Sequence, residues 1–167
     1  MQFKSPLLLK DRDADKSDLM NWKWAKGAAT LKEDFGAPLT STNYVLCVYD
    51  RSGGTPTLKL AAEIPAGGTC DSGRPCWKET ARGFKYTNKA ATPDGIVSLT
   101  LKEGFEGSAQ ITLKSKGVNV PMPTLPLAQD LAVTVQLKKD GGLGFICWDA
   151  DYAAPALRNE EGEFRDK

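Results

Sequence analysis

The sequence of 167 residues contains no histidine. Histidine is the only side chain whose ordinary pKa lies roughly between pH 5 and 8, and it is the base in Ser-His and Cys-His nucleophilic sites. Its absence excludes both kinds of active site and every histidine-ligated metal centre. The chemistry that remains open uses paired carboxylates, a lysine base or a metal held by oxygen ligands. We therefore expect a protein that is not an enzyme and binds no cofactor.

The chain also lacks a strong net charge and a long hydrophobic segment. Its 22 basic and 21 acidic residues leave a formal charge of +1, so we expect no general attraction to nucleic acid or to an anionic membrane. No segment approaches the ~20 apolar residues of a membrane-spanning helix, so no membrane insertion is expected. Basic residues are nevertheless concentrated in one local group that also contains aromatic residues. The group consists of Lys78, Arg82, Lys85, Lys89, Phe84 and Tyr86.

No signal peptide is recognisable at the start of the chain. The apolar run Leu7–Leu9 is short and is followed by charged residues, unlike the longer apolar core of a secretory signal. We favour the interpretation that the chain is a piece of a longer exported protein, and a mature product is the alternative.

The four cysteines indicate an oxidising compartment, because an even number fits disulfide bonds. Among the three possible pairings we favour Cys70 with Cys76, which closes a short loop, and Cys47 with Cys147, which would join two strand centres. A zinc site made of all four cysteines is less favoured because the sequence has no C-x-x-C pair. The expected location is extracellular or at the cell surface, with the periplasm as an alternative.

Apolar residues at alternate positions predict strands throughout the chain. One such strand is indicated by the alternating apolar residues Leu131, Val133, Val135 and Leu137. A turn is then predicted at Asp140-Gly141-Gly142. The strand expected after this turn runs through Trp148 and is covered on both faces. Residues 96–114 predict a second hairpin, and 44–49 predict a central strand. Prolines at 121, 123 and 126 indicate an extended crossover that packs on the core or forms a groove for a partner.

These patterns predict an all-β fold, an antiparallel β-sandwich of about eight to ten strands that is jelly-roll-like or immunoglobulin-like and poor in helix. A chain of this length is expected to bury roughly 70% of its extended surface and to form one core. We assign residues 1–154 to a single domain and 155–167 to a polar C-terminal tail, since Phe164 is the only aromatic residue there.

Two aromatic pairs are candidate ligand-binding residues. Trp22 and Trp24 lie on the same face if residues 19–24 form a strand, and Trp77 with Tyr86 is the second pair. Aromatic faces offer flat apolar area on which a sugar ring can stack, although packing in the core is the commoner use. The pairs therefore make a carbohydrate-binding module an alternative function.

Acidic residues suggest two further sites. Asp11, Asp13 and Asp15 have the D-x-D-x-D spacing of a calcium loop, but the glycine and glutamate of that loop are missing, and a solvated turn is the favoured interpretation. Glycosidases use two carboxyls about 5 to 9.5 Å apart. The candidate pairs are Glu103 with Glu106, in an expected exposed turn, and Asp149 with Asp151, which make a hydrolase the third hypothesis.

Several segments resemble an uncharacterised disulfide-containing β-domain found in predicted secreted bacterial multidomain proteins. They are Leu7–Asp11, YVLCVYD at 44–50, AGGTCDSGRPCW at 66–77, Gly83–Tyr86, Thr92–Gly95, Pro126–Gln129, Cys147–Trp148 and Phe164–Lys167. The resemblance covers nearly the whole chain and implies export and a modular context, but no activity. We therefore expect a non-catalytic extracellular structural or protein-interaction module whose partners are other proteins or copies of itself.

Overall fold

Two antiparallel sheets packed face to face make up most of the computed structural model, which describes residues 5–140 and 147–167. The strands are β1 (Leu7–Lys10), β2 (Leu19–Gly27), β3 (Tyr44–Ser52), β4 (Thr55–Ile64), β5 (Thr69–Cys70), β6 (Arg74–Pro75), β7 (Trp77–Thr80), β8 (Gly83–Thr87), β9 (Ile96–Lys102), β10 (Ala109–Lys116), β11 (Ala132–Lys139), β12 (Cys147–Ala153), β13 (Arg158–Glu160) and β14 (Glu163–Asp166). The helices in these two ranges are short 3₁₀ turns at Asp15–Ser17, Lys32–Phe35 and Asp71–Gly73.

The larger sheet has eight strands in the order β13-β14-β1-β2-β10-β9-β8-β7, and the smaller has four in the order β12-β11-β3-β4. Strands β5 and β6 form a separate two-stranded hairpin. The prediction of a helix-poor, antiparallel all-β sandwich is confirmed. The strand count exceeds eight to ten because short strands form at the edges of the larger sheet and in the separate β5–β6 hairpin, where sequence alternation is too brief to recognise.

The core lies between the inner faces of the two sheets. Trp22 of β2 is 1% exposed and donates its indole N–H to the hydroxyl of Tyr152 on β12 at 3.0 Å. The Tyr152 hydroxyl in turn donates to the backbone carbonyl of Ser5 at 2.5 Å. Buried polar groups of this kind are retained when each has a partner, and here the chain of hydrogen bonds fixes how the two sheets meet.

The hairpin of β11 and β12 is partly as predicted. Val133, Val135 and Leu137 are fully buried on the inner face. Leu131, expected beside them, is 74% exposed at a φ of +78° and ends the loop before β11. The turn glycines and the first residues of the return run, 141–146, lie outside the described residues. Strand β12 is an edge strand with only one buried face, so the prediction of a strand covered on both faces is wrong.

The hairpin predicted over residues 96–114 is confirmed as β9 and β10, which pair antiparallel. The register shifts between Lys114 and Ser115, so Ile96 lies opposite Ser115 and Val97 is the extra residue of a bulge. Ile96 is therefore buried, although strict alternation with Leu99 and Leu101 predicts Val97 on the inner face. Alternation in a sequence cannot reveal such a shift, because one inserted residue reverses the faces of every residue beyond it.

The crossover before β11 packs on the core, as favoured from its prolines. Val120, Leu125 and Leu127 are all buried against the sandwich. The backbone of Leu127 is held from both sides by Asn159, whose side-chain amide accepts from its N–H at 2.9 Å and donates to its carbonyl at 2.8 Å. This segment therefore covers one end of the core rather than offering an open groove.

The C-terminal residues belong to the larger sheet, so the predicted polar tail is wrong. Strand β14 pairs with β1 along its whole length, and β13 pairs with β14. Phe164 is fully buried and packs edge-on against Tyr152, with ring centroids 6.5 Å apart. The edge of β1 offers backbone hydrogen bonds to a short strand whose own sequence is mostly polar. The domain accordingly extends through residue 166.

Candidate functional site

The aromatic residues predicted to bind a ligand are all in the core. Trp22, Trp24, Trp77 and Tyr86 are each less than a tenth exposed. The indole N–H groups are also used internally, since Trp24 donates to the carbonyl of Asp149 at 3.1 Å and Trp77 donates to that of Pro65 at 2.8 Å. The hypothesis of a sugar-stacking platform on these four residues is therefore wrong, and the commoner role in core packing applies.

One of the two predicted disulfides is present. Cys70 and Cys76 are bonded, and they close the β5–β6 hairpin. Cys47 and Cys147 are both free, so the second pairing is wrong. Strand β11 lies between the strands that carry them and separates them by two strand spacings, about 9.6 Å. That separation exceeds the ~7 Å limit between the Cα atoms of a disulfide.

Lys138 covers part of the outer face of the smaller sheet. Its ammonium group donates to the hydroxyl of Tyr49 at 2.6 Å and lies 5.0 Å from the centroid of that ring. The hydrogen bond to Tyr49 is the main reason why the pKa of Lys138 is raised, and the thiols of Cys47 and Cys147 act in the same direction. Because Lys138 pairs with Val45, its side chain extends along β3 in the direction of Cys47 to reach Tyr49, and Cys47 is buried although its side chain is on the outer face.

The candidate catalytic carboxylates lie at the surface, where Glu106, Asp149 and Asp151 are exposed and Glu103 is half-buried. Asp149 and Asp151 lie on the outer face of edge strand β12, where Thr134 donates to Asp151 at 2.5 Å. Glu106 accepts a hydrogen bond from the backbone N–H of Ala29 at 3.2 Å in a loop. General acid catalysis by a carboxyl pair needs one member in a desolvated environment. Neither this pair nor Glu103 with Glu106 has such an environment, so the geometry gives the hydrolase hypothesis no support.

The aspartates near the start of the chain form a loop of like charges. The pKa of Asp11 is raised, first by partial burial and then by the carboxylates of Asp18, Asp15 and Asp13. Asp18 accepts the backbone N–H of Arg12 at 2.8 Å, as a turn-forming side chain does. Within residues 5–140 and 147–167, no three metal-ligating side chains are grouped so as to hold an ion. The arrangement fits the solvated turn.

The outer face of the larger sheet carries a concentration of lysines. We call the outward residues of three adjacent cross-strand rows the lysine face. The central row is Lys78, Lys85, Thr100, Thr112 and Lys23, with one residue each from β7, β8, β9, β10 and β2. One flanking row is Thr87, Ser98, Lys114 and Asn21, and the other is Thr80, Gly83, Lys102, Gln110 and Ala25.

The lysine face is unusual in its charge. Its five cations are Lys23, Lys78, Lys85, Lys102 and Lys114, and none of its residues is acidic. None of the five forms an ion pair with any residue of the described ranges. Lys78 and Lys85 are also direct cross-strand neighbours, a like-charge pairing that destabilises a sheet. A protein of net charge +1 thus concentrates unbalanced positive charge on one face.

The basic and aromatic group noticed in the sequence is divided by the sheet. Lys78 and Lys85 point outward, whereas Phe84 and Tyr86 are buried on the inner face. Successive side chains of a strand point to opposite faces, so this separation follows from the strand itself. The stacking partners that a nucleic-acid site would need are therefore absent from these rows.

Three shallow depressions lie in line across the larger sheet, and we call them together the furrow. The first, about 400 Å³, begins at the β5–β6 hairpin and shares Lys85 and Thr87 with the second, about 340 Å³. The third, about 430 Å³, shares Thr112 and Lys114 with the second and ends at β14. The furrow is lined by the cations Arg74, Lys89, Lys78, Lys85, Lys102, Lys114, Lys23, Arg165 and Lys167.

The two ends of the furrow differ from its middle. Asp71 lies at the hairpin end and Asp166 at the β14 end, so carboxylates are confined to the extremities. The third depression is mostly apolar, with Leu8 and the exposed Leu157 in its lining. The middle combines lysines with hydroxyl and amide side chains, which can donate and accept hydrogen bonds.

Comparisons with known protein families, with curated proteins and with solved structures found no match. No helix in the described part of the chain is both long enough and apolar enough to cross a membrane.

The lysine face was missed at the level of sequence, although a signal for it exists. Thr-Leu-Lys occurs at both 100–102 and 112–114, and by itself the repeat suggests lysines that end a strand and discourage pairing at a sheet edge. Strands β9 and β10 are interior strands, so that interpretation is wrong for Lys102 and Lys114. Polar residues alternating with buried leucines on interior strands indicate one solvated face, and here that face is basic.

Proposed function

We propose that this chain is a non-catalytic interaction module of an extracellular protein, and that the lysine face is its binding surface for an acidic partner. The observation that carries the proposal is the set of five lysines without a carboxylate among them. An anionic partner would relieve the repulsion between neighbouring ammonium groups and gain a charge-complementary surface. The disulfide between Cys70 and Cys76 supports the extracellular setting, because such bonds persist in oxidising compartments.

Binding to immobilised polyanions tests this proposal. The full chain is applied to heparin, to polyglutamate and to DNA, and eluted with increasing salt. We expect retention on at least one matrix, with elution at clearly lower salt for Lys85→Gln/Lys114→Gln. Lys16→Gln/Lys26→Gln changes the net charge equally at exposed lysines outside the three rows, and should elute like the unchanged protein. Flow-through on every matrix at low salt, or equal retention of all variants, would refute the proposal.

Self-association is a second candidate, favoured by the opposite outer surface. Asp149 and Asp151 lie exposed on β12, so the smaller sheet of one copy could approach the lysine face of another. Sedimentation velocity over a range of concentrations tests this candidate. A concentration-dependent increase in mass that disappears at high salt and in Lys85→Gln/Lys114→Gln is expected for such assembly. A monomer at every concentration would eliminate it and leave an external acidic partner.

A further inference from the structure

We infer that the furrow binds a linear anionic polysaccharide that lies across the strands of the larger sheet. This inference rests on the proposed function, because it names the class of acidic partner. It follows from three features of the furrow: its length, the side chains between its cations, and the kind of cation that it presents.

The length of the furrow fits a chain rather than a small molecule. It crosses from β7 through β8, β9, β10, β2 and β1 to β14, which are hydrogen-bonded neighbours in that order. Six strand spacings of about 4.8 Å give a path of about 29 Å. Cations occur at both ends and in the middle of this path. A ligand that uses all of them must carry anionic groups at intervals along an extended backbone.

The side chains between the lysines fit the hydroxyl-rich surface of a sugar chain. Ser98, Thr100 and Thr112 are half-buried on the lysine face, as are the amides of Asn21 and Gln110. Hydroxyl and amide groups can both donate and accept, as sugar hydroxyls do. No outward residue of the three rows is aromatic. Single-stranded nucleic acids gain much of their affinity from stacking of bases on aromatic side chains, so the furrow favours the polysaccharide.

The cations in the middle of the furrow are all lysines, whereas the arginines Arg74 and Arg165 lie at its two ends. A lysine ammonium is a compact point charge on a flexible stem, whereas the arginine fork favours planar bidentate contacts with phosphate or carboxylate. Flexible point charges accommodate anionic groups that project from a sugar chain at varying angles, and these groups need no fixed planar geometry. We therefore take sulfated or uronate-containing chains as the ligand class.

A length series tests the inference. Size-defined heparin oligosaccharides and oligogalacturonates are titrated calorimetrically into the full chain, and affinity should rise with length until the oligosaccharide spans about 29 Å. Arg74→Gln/Lys89→Gln, at one end, removes two exposed charge contacts and should weaken the binding of a spanning oligosaccharide about tenfold, while the binding of one confined to the middle stays unchanged. Arg165→Gln/Lys167→Gln should do the same from the other end. The control Lys16→Gln/Lys26→Gln should leave every affinity unchanged.

Two alternative anionic ligands distinguish a failure of this inference from a failure of the proposed function. Oligodeoxythymidylate matched in charge to the spanning oligosaccharide, and phosphatidylcholine vesicles containing phosphatidylserine, are measured in the same buffer. If either binds as tightly and loses affinity in Lys85→Gln/Lys114→Gln, the lysine face is an anion-binding surface but the polysaccharide assignment is overturned. If no probe binds at low salt, both are overturned. An affinity independent of oligosaccharide length would contradict the extended path across the strands.

Discussion

At the scale of single residues, Tyr152 connects the most distant parts of the fold. Its hydroxyl accepts from Trp22 and donates to Ser5, so it joins the smaller sheet to β2 and to the segment before β1. The pKa of Tyr152 is raised far above its ordinary value of 10.0, mainly by burial, and the hydrogen bond from Trp22 opposes this rise. The phenol is therefore held neutral in the folded protein.

We predict that Tyr152→Phe lowers the free energy of unfolding at pH 7 by about 1–3 kcal/mol, since two buried partners lose their hydrogen bonds. Urea denaturation measures this change. Tyr49→Phe is the matched control, because the Tyr49 hydroxyl is on the outer face and bonds only to Lys138 among the described residues. The control should change the free energy by much less. Equal losses in the two variants would contradict the role given to Tyr152.

The same variant should alter the response to alkali. Because the folded pKa of Tyr152 is raised, its contribution is complete below pH 10, the ordinary value. Above pH 10 the unfolded chain loses this proton and the folded chain keeps it, so the stability falls by about 1.4 kcal/mol per pH unit for such a tyrosine. Tyr44, whose pKa is also raised by burial, adds a similar slope. Tyr152→Phe should therefore show a less steep loss of stability above pH 10.

The two free cysteines differ in access, which predicts their reactivity. Cys147 is exposed, whereas Cys47 is buried. Thiol modification of the native, non-reduced protein should therefore modify Cys147, while Cys47 reacts only after unfolding. Peptide mapping by mass spectrometry distinguishes the two sites. A peptide in which Cys47 is linked to Cys147 would contradict the strand order, because β11 separates them.

At the scale of elements, the C-terminal hairpin of β13 and β14 completes the larger sheet beside β1. Its sequence contributes little apolar surface except Phe164, which is why composition indicated a tail. Composition does not reveal the contribution of the backbone. Without the hairpin, β1 would be the edge of the sheet, and its free backbone groups offer hydrogen bonds to a short segment that can reach them. The interior strands were easier to predict, since β3 and β11 repeat an apolar residue at every second position for most of their length.

We predict that Phe164→Ala lowers the free energy of unfolding by about 3–5 kcal/mol, as expected for removing a buried aromatic ring. That loss is a large part of the roughly 5–15 kcal/mol that stabilises a typical domain. Phe105 is 86% exposed and provides the control, because Phe105→Ala should change the stability by less than about 0.5 kcal/mol. Chemical denaturation of both variants measures the difference. A neutral Phe164→Ala would mean that the hairpin is not part of the folded core.

At the scale of the whole molecule, the sequence allowed the sandwich to be predicted but not the arrangement of its faces. Alternation predicts that Leu99 and Leu113 are buried, yet it cannot tell which strands become neighbours. The pairing of β9 with β10, and of β10 with β2, sets Lys102, Lys114 and Lys23 on one surface although they are far apart in the chain. A net charge near zero concealed this concentration, because the acidic residues lie elsewhere on the molecule.

The tryptophans also show that the sequence does not predict how the faces of the sandwich are arranged. Trp22 and Trp24 share one face of a strand, as the sequence predicted, but the sequence does not tell which face the core covers. The core covers the face with the tryptophans and leaves Lys23 outside. The binding surface that we propose is thus the polar side of strands whose apolar side had suggested the ligand site.

Lysine footprinting tests most directly whether the lysine face binds a polyanion. The full chain is acetylated under limiting reagent with and without saturating heparin, and the modification of each lysine is read by mass spectrometry. We predict protection of Lys23, Lys78, Lys85, Lys102 and Lys114, with Lys16, Lys26 and Lys59 as reactive as before. Protection spread evenly over all exposed lysines, or confined to those outside the lysine face, would contradict it.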